Sequence, residues 1–155
     1  MNKKEFTLKI ADVKRKLYNT ALLYLGNESD AMEAVDEAVY KAFKSIKSLK
    51  HDELFNTWLI RILINECKKE LRRKKRIYVS DIIEENSEDF NYDILPLNEA
   101  IFKLPEGLRS VIILRYFDDL TLAEVSEILD IPQGTVVSKQ RKALSLLKMN
   151  LIEEY

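Results

Sequence analysis

The chain has 155 residues, a formal net charge of −1 at pH 7, one cysteine and one histidine. This length fits one ordinary domain or two small ones, and the net charge by itself predicts no polyanionic partner. A lone cysteine excludes an internal disulfide, and with a single histidine it excludes a Cys/His metal cluster. We therefore expect no metal, no cofactor, and a buried, inert Cys67.

Composition predicts an all-α protein. Only three glycines and three prolines interrupt long stretches of good helix formers. The amino-terminal stretch MNKKEFTLKI lacks the apolar run of a signal peptide, and no apolar segment approaches about 18 residues. These features predict a soluble, cytoplasmic protein that does not insert into a membrane.

The first half of the chain is predicted to form three helices. Helical spacing of apolar residues runs to the sequence LGNESD, where Gly26 and Asn27 predict a stop. Ser29 or Asp30 is then expected to cap the second helix. After the loop SLKHDE, a third helix from about Leu54 starts apolar nearly all round and ends in cations, which suit a helix C-terminus. The core side chains expected on the second helix are Val35, Val39, Ala42, Phe43, Ile46 and Leu49.

Charge is segregated along the sequence although the total is near neutral. Residues 65–76, NECKKELRRKKR, carry seven cations and two acids, whereas residues 77–102 carry seven acids and no Lys or Arg. Residues 132–150 carry four cations and no acid. Blocks of one sign predict different partners for different segments.

Residues 77–96 are predicted to form an acidic linker that closes at Pro96. We hypothesise that its acids also inhibit the free protein, because they would repel an anionic ligand and compete with it for the basic surfaces of the chain. Scattered apolar side chains predict that the linker docks on a partner rather than floating freely. They are Ile82, Ile83, Phe90, Tyr92, Ile94 and Leu95.

Residues 97–155 are predicted to form four helices, in LNEAIFKL, PEGLRSVIILRYFDD, TLAEVSEILD and PQGTVVSKQRKALSLLKMN. Pro105 suits a first helical turn, and Thr121 with Glu124 fits a capping box. The last two helices flank a tight turn, as in a helix-turn-helix motif, and Asp130 in that turn is expected to be left-handed. The expected core side chains are Val125, Ile128, Leu129, Ile131, Val136, Ala143, Leu144 and Leu147.

The solvent-facing side chains of this motif predict binding to duplex DNA. Helix N-terminal amides together with Thr, Ser, Lys and Arg suit a major groove, where phosphate contacts position the protein and side chains read base edges. The spacing of these residues alone is also compatible with another interpretation, in which the helical hairpin is purely structural and its basic face is only exposed to solvent. The candidate DNA-binding residues are Gln133, Thr135, Ser138, Lys139, Arg141 and Lys142.

Two parts of the chain, taken together, resemble the extracytoplasmic-function (ECF) group of sigma-70 family RNA polymerase sigma factors. LPEGLRSVIILRYFDDLTLAEVSEILDIPQGTVVSKQRKAL resembles the C-terminal module of that family; DAMEAVDEAVYKAF and FNTWLIRILINECKKELRRKKR resemble its N-terminal module. The C-terminal matches are Leu104, Pro105, Arg109, Val111, Leu114, Arg115, Glu127, Ile128, Leu129, Ile131, Pro132, Gly134, Thr135, Val136, Ser138 and Ala143. The N-terminal matches are Asp30, Ala31, Glu37, Lys41, Ala42, Phe55, Thr57, Trp58, Leu59, Arg61, Ile62, Asn65, Arg72 and Arg73.

The sequence departs from the family pattern at several positions. Val137 stands where the family usually has Lys or Arg, and Asp130 replaces the usual turn glycine. Lys139 stands where Arg is usual, and a lysine cannot form the guanidinium fork that reads guanine with two hydrogen bonds. Asp36 stands where Gln is common.

The resemblance implies two small helical domains joined by a flexible acidic linker. Residues 1–76 would bind core RNA polymerase and the minus-ten promoter element, and residues 97–155 would bind the minus-thirty-five element. The expected function is promoter recognition, melting and transcription initiation, with stress-response genes as the expected targets. The protein would not be an enzyme and would have no small-molecule substrate. An anti-sigma factor, often membrane-anchored in the family, is the expected inhibitor.

The resemblance also assigns roles to particular residues. Core polymerase would meet an acidic helix face formed by Asp30, Glu33, Asp36 and Glu37. Arg115 would join the duplex-binding residues by contacting the DNA backbone, and residues 50–55 would help to read the melted strand. Trp58 could be a core or a base-stacking residue, and Arg61 could instead be a structural ion-pair partner. The candidate melted-strand residues are Trp58, Arg61, Asn65, Lys68, Lys69, Arg72 and Arg73.

Two other functions remain open from the sequence. A stand-alone helix-turn-helix regulator would bind DNA without polymerase, but it would leave FNTWLIRILIN and the acidic helix without a task. A helical adaptor with incidental basic patches would show neither sequence-specific DNA binding nor polymerase-dependent transcription.

Overall fold

The structure of the protein, a computed structural model, describes residues 1–80 and 96–154. The chain divides into two compact units, Met1–Asp89 and Phe90–Tyr155. Every regular element within the described ranges is helical, which confirms the all-α prediction. None of the helices described there carries an apolar run long enough to cross a bilayer.

The first unit is a bundle of three helices in which each packs on the other two. Helix α1 spans Lys3–Leu25, α2 spans Glu28–Lys44 and α3 spans Phe55–Ser80. Two short 3-10 turns, Ile46–Ser48 and Asp52–Leu54, lie in the predicted loop. Helix α3 continues through residues 77–80, which the sequence had suggested as linker. Residues 81–95, with the six apolar side chains expected to dock, lie outside the described residues.

The junction between α1 and α2 is set by Gly26 and Asn27. Gly26 ends α1 with φ of 81°, and its N–H donates to the carbonyl of Leu22. Asn27 is extended, and its side-chain oxygen accepts from the backbone N–H of Asp30 at 2.8 Å. The prediction that Ser29 or Asp30 caps α2 was wrong. Both residues lie inside the first turn of this helix, and the side chain of Asn27 accepts from the backbone amide of Asp30.

The core face of α2 is lined by small residues. Of the side chains expected there, Phe43 is 38% exposed and Val39, Ile46 and Leu49 are only half-buried. Because α2 is packed between α1 and α3, its contact face carries side chains that allow close approach, and larger residues of its neighbours fill the space. The buried α2 residues with helical spacing are Ala31, Ala34, Val35, Ala38 and Ala42.

Cys67 is fully buried on α3, as expected. Burial first, and then the nearby negative charge of Glu66, raises the pKa of this thiol far above its usual range. The thiolate is therefore not formed at neutral pH, and the thiol behaves as a small apolar group.

The second unit contains four helices. Helix α4 spans Pro96–Lys103, α5 spans Glu106–Ile112, α6 spans Leu122–Leu129 and α7 spans Gln133–Glu154. A π-helical turn, Ile113–Phe117, follows α5 directly. Helix α7 packs against α4, α5 and α6, so it is the central element of this unit.

Both ends of α6 follow local chemistry visible in the sequence. The predicted capping box is present: Glu124 N–H donates to Thr121 Oγ1 at 3.1 Å, and Thr121 N–H donates to Glu124 Oε1 at 3.0 Å. Asp130 is left-handed, as predicted, with φ of 56°.

Three of the expected core side chains of the second unit are less buried than predicted. Leu144 is 42% exposed, because α7 turns Val136, Ala143 and Leu147 toward the interior and places residue 144 about 80° from residue 136 around the helix. Leu129 and Ile131 are half-buried. The other expected core residues, Val125 and Ile128 among them, are buried.

The cap assignment predicts a contrast between two substitutions. We expect Asn27→Ala to lower the free energy of unfolding of the first unit by about 1 kcal/mol, since it removes the acceptor of a helix-terminal amide. Ser29→Ala, which changes an exposed side chain inside the helix, should change it by a few tenths of a kcal/mol at most. Urea unfolding followed by circular dichroism measures both. Equal losses would contradict the role given to Asn27.

Candidate nucleic-acid interface

Helix α7 presents a polar face opposite its buried face. Gln133, Ser138, Arg141 and Lys142 are exposed, and Thr135 is half-buried. Around the helix, residues 135, 138, 141 and 142 lie on the side away from residue 136, since each residue advances the helix by about 100°. The structure therefore brings five of the seven predicted duplex-binding residues onto one end and one face of α7.

The start of this face is held rigidly. Asp130 N–H and Ile131 N–H both donate to the carbonyl of Ser126, and Ser126 Oγ donates back to the carbonyl of Ile131. Thr135 N–H and Val136 N–H then donate to the carbonyl of Pro132 at 3.0 and 3.1 Å. Helix α7 begins at Gln133, so its N-terminus, where a helix favours an anion, lies at Gln133 and Gly134.

Lys139 lies away from the centre of this face. It is half-buried, and a Cβ placed on Gly107 would lie 2.8 Å from its Nζ atom. The lysine therefore extends over the first turn of α5. A side chain at position 107 would require the flexible end of Lys139 to move, a small adjustment for a lysine.

Arg115 is engaged inside the second unit. Its Nε donates to Gln140 Oε1 at 3.0 Å, and its Nη1 donates to the carbonyl of Leu120 at 2.7 Å. It joins the π-helical turn to α7 and to the segment that leads into α6. The sequence analysis did not identify Gln140 as the partner of Arg115. The two residues are 25 positions apart, and no local sequence pattern connects them.

Helix α3 presents a row of exposed polar and cationic residues. Arg61, Asn65, Lys69 and Arg72 recur at intervals of three or four and are exposed, so they share one side of the helix. Trp58 is half-buried one turn earlier, with its ring 6.0 Å from that of Phe55. Half-burial leaves part of the indole in solvent.

The cations further along α3 differ in how they are paired. Arg73 forms an ion pair with Glu70, and this neighbour raises the pKa of the guanidinium further. Lys74 pairs with Asp30. Lys68 is half-buried. Among the predicted melted-strand residues, Arg73 is thus held by a carboxylate of its own helix.

Acids and cations meet in the groove between α2 and α3. Glu33 and Glu37 of α2 line the same groove as Arg72, Arg73 and Arg76 of α3. The sequence had separated an acidic protein-binding segment from a basic strand-binding segment. The fold brings acids of the first segment next to cations of the second, which the order of charges along the sequence cannot reveal.

Asp30 is not part of the exposed acidic face. Its side chain is buried, accepts from Asn27 Nδ2 at 2.7 Å, and pairs with Lys74. Glu33, Asp36 and Glu37 are exposed, with Asp36 on the α1 side of α2 beside an apolar groove that includes Tyr18. Three of the four predicted polymerase-binding residues are therefore accessible.

A second ion pair, between Lys41 and Glu66, also joins α2 to α3. Hydrogen bonding to Glu66 is the main cause of the raised pKa of Lys41. Hydrogen bonding with the neighbouring Lys41, and after it the positive charge of that lysine, lowers the pKa of Lys69. The carboxylates of Asp30, Glu33 and Glu70 converge nearby, but the chain's own Lys74 and Arg73 pair with two of them.

Comparison with known proteins identifies both units. Residues 10–77 match the family model of Sigma-70 region 2, and residues 100–149 match that of Sigma-70, region 4. RNA polymerase sigma factor SigV of Bacillus subtilis is 33% identical over 150 residues, covering 94% of this chain and 90% of that protein. The ECF RNA polymerase sigma-E factor of Escherichia coli is 32% identical, covering 89% and 82%.

Solved structures share the fold. A sigma factor RpoE from Bartonella quintana, in co-crystals with the anti-sigma factor NepR, matches with a TM-score of 0.83 at 21% identity, over 96% of this chain and 97% of that one. CnrH, in complex with the cytosolic domain of CnrY, matches with a TM-score of 0.77 at 20% identity, over 99% and 92%. With two family models in order and relatives aligned over nearly their whole length, the chain belongs to the ECF subfamily of sigma-70 RNA polymerase sigma factors.

Proposed function

We propose that this sigma factor works through three surfaces: the polar face of α7, the exposed row on α3, and the acidic side of α2. The observation that carries this proposal is that α3 and α7 each expose cations and polar side chains in the units that match regions 2 and 4. The α7 face would bind the duplex minus-thirty-five element, and the α3 row would bind the melted minus-ten strand. Residues 1–76 and 97–155 would divide these tasks as expected from the sequence.

At the duplex, the N-terminus of α7 and the side chains of Gln133 and Thr135 suit phosphate contacts. Ser138, Arg141 and Lys142 then suit the groove, because they project from the side opposite the core. Arg141 alone among them has the planar fork that reads guanine. Lys139, which lies over the first turn of α5, and Arg115, which is hydrogen-bonded within the unit, would act mainly by positioning α7.

At the melted strand, the α3 row offers the two contacts that a separated strand needs. Opening the duplex and extruding a base costs a few kcal/mol, and stacking returns roughly 1–3 kcal/mol per base. The exposed part of Trp58 is one stacking surface, and Arg61 is a candidate guanidinium plane. Asn65 has the amide for a base edge, and Lys69 with Arg72 would hold phosphates.

Core polymerase would meet α2 through Glu33, Asp36 and Glu37. These carboxylates lie within about 100° of one another around α2, with Glu33 and Glu37 toward α3 and Asp36 toward α1, so a basic helical partner could pair with the exposed face that they share. Asp30 would contribute indirectly, by holding Asn27 and Lys74 in place.

Further expectations follow from family membership. An anti-sigma factor would hold this chain inactive; the solved sigma factor RpoE from Bartonella quintana was crystallised with the anti-sigma factor NepR. The chain would act in the cytoplasm, on nucleoid DNA, without catalysing a reaction, and would serve stress-response genes. The match to region 2 over residues 10–77 argues against a stand-alone regulator, which has no use for it.

The decisive experiment is run-off transcription by core polymerase and this chain on a randomised promoter library. We expect enrichment of two spaced motifs, one for each unit. Transcription that does not depend on the chain, or DNA binding by the chain with no effect on polymerase, would contradict the proposal.

The α7 face predicts different effects for two neighbouring cations. With an enriched promoter, Arg141→Ala should weaken holoenzyme binding by about 1–3 kcal/mol and relax preference at one base pair. Lys142→Ala should weaken binding to all sequences alike and reduce the slope of log affinity against log salt by about 0.9. Lys148→Ala, an exposed cation further along α7, is the matched control and should leave both quantities unchanged. Three equal effects would show that only net charge matters.

The acidic side of α2 predicts weaker polymerase binding after charge reversal. Glu33→Lys and Asp36→Lys should each lower affinity for core polymerase roughly tenfold or more, since like-charge juxtaposition costs several kcal/mol. Asp12→Lys, which reverses an exposed acid on α1, is the control. Titration of labelled protein with core polymerase gives the affinities. If Asp12→Lys is equally damaging, the α2 face has no special role.

A further inference from the structure

One end of the first unit gathers aromatic rings from all three helices. The Phe6 ring lies 5.6 Å from the Phe43 ring and 6.0 Å from the Phe55 ring, in edge-to-face geometry. Trp58 extends the cluster beyond Phe55. Phe6 and Phe55 are buried, whereas Phe43 is 38% and Tyr40 is 56% exposed. The cluster thus combines a packed interior with aromatic surface in solvent.

Lysines lie over these rings. Lys3 Nζ is 5.4 Å from the centre of the Phe43 ring and Lys9 Nζ is 5.3 Å from that of Phe55. Lys44 Nζ is 5.2 Å from the centre of the Tyr40 ring. Each distance is within cation–π range. Lys3 and Lys9 belong to α1, so the α1 helix contributes charge next to the loop that precedes α3.

The sequence around the exposed rings is also basic. Residues 40–51, YKAFKSIKSLKH, contain four lysines and no acid. Lys41 is paired with Glu66, but Lys44, Lys47 and Lys50 are exposed. None of the three surfaces proposed above uses Lys3, Lys9, Tyr40, Phe43 or Lys44.

We propose that this aromatic–lysine end, formed by Lys3, Lys9, Tyr40, Phe43 and Lys44, is a further binding surface for single-stranded DNA. It rests on the proposed function and extends it, because the strand held by the α3 row would continue onto this end. From Phe55 in the aromatic cluster to Arg72 at the far end of the row, α3 rises about 25 Å, so the two surfaces follow one another along the helix and together would hold several nucleotides.

Single-stranded DNA is the ligand that suits both chemistries at once. Exposed aromatic rings accept stacked bases of any identity, and ammonium groups close to the rings can neutralise the adjoining phosphates. A duplex keeps its bases stacked inside and would use only the lysines. An acidic protein would also use the lysines, but it would not depend on bases.

The test measures binding of the full chain to a fluorescein-labelled 20-nucleotide oligo(dT) as salt is varied. Combined Lys3→Gln and Lys9→Gln should reduce the slope of log affinity against log salt by about 1.4, since each single-strand phosphate contact contributes about 0.7. Lys4→Gln with Lys14→Gln makes the same charge change at exposed α1 positions without a ring and should leave the slope unchanged. Equal slopes for the two double variants would overturn the inference.

A second variant tests the rings. Phe43→Leu should lower affinity for oligo(dT) about fivefold or more, at the lower end of what loss of one stacked base costs. It should not alter binding to an abasic oligonucleotide of the same length, a difference that a general loss of structure would not produce. Equal losses on both probes would overturn the role of Phe43.

The outcomes separate this inference from the proposed function. If Arg72→Gln with Lys69→Gln weakens oligo(dT) binding and the Lys3/Lys9 variant does not, only the further surface fails. Failure of the unmodified chain to bind oligo(dT) at low salt also overturns it, while promoter-directed transcription remains a separate test. Loss of core polymerase affinity in the Lys3/Lys9 variant, with an unchanged salt slope, would assign the surface to a protein partner instead.

Discussion

The first unit depends on holding a strongly cationic helix against an acidic one. Two ion pairs, Lys41 with Glu66 and Lys74 with Asp30, connect α2 and α3 at separate points along their length. Glu66 and Asp30 are buried residues, so removal of either lysine would leave a carboxylate in a poorly solvated place, which is costly. These pairs, together with the buried apolar face of α3, determine which of its cations face solvent.

The same contact explains how a chain of almost zero net charge can bind DNA. Part of the charge on α3 is neutralised internally, because Arg73 and Lys74 are bound by carboxylates. Arg72 and Lys69, on the exposed side, keep their charge available. The surface that DNA would meet is thus selected by pairing inside the protein as well as by the number of cations in the sequence.

Local rules predicted the parts of this structure that are determined locally. The capping box at Thr121 and the left-handed Asp130 depend on residues within a few positions, so the sequence contains the whole cause. The buried alanine face of α2, the burial of Asp30 and the bond from Arg115 to Gln140 depend on partners in other helices. Hydrophobic periodicity identifies a helix. It does not reveal that the buried face must carry small side chains, or which polar side chains form pairs between helices.

Gly107 and Lys139 illustrate how a position outside a binding face can constrain that face. Any Cβ at residue 107 would fall 2.8 Å from the lysine nitrogen, closer than atoms normally approach. A larger residue there would require the ammonium group to move, which the flexible lysine side chain can do at little cost. A designer who alters promoter choice through residue 139 should therefore regard residue 107 as a neighbour that can redirect the side chain at 139.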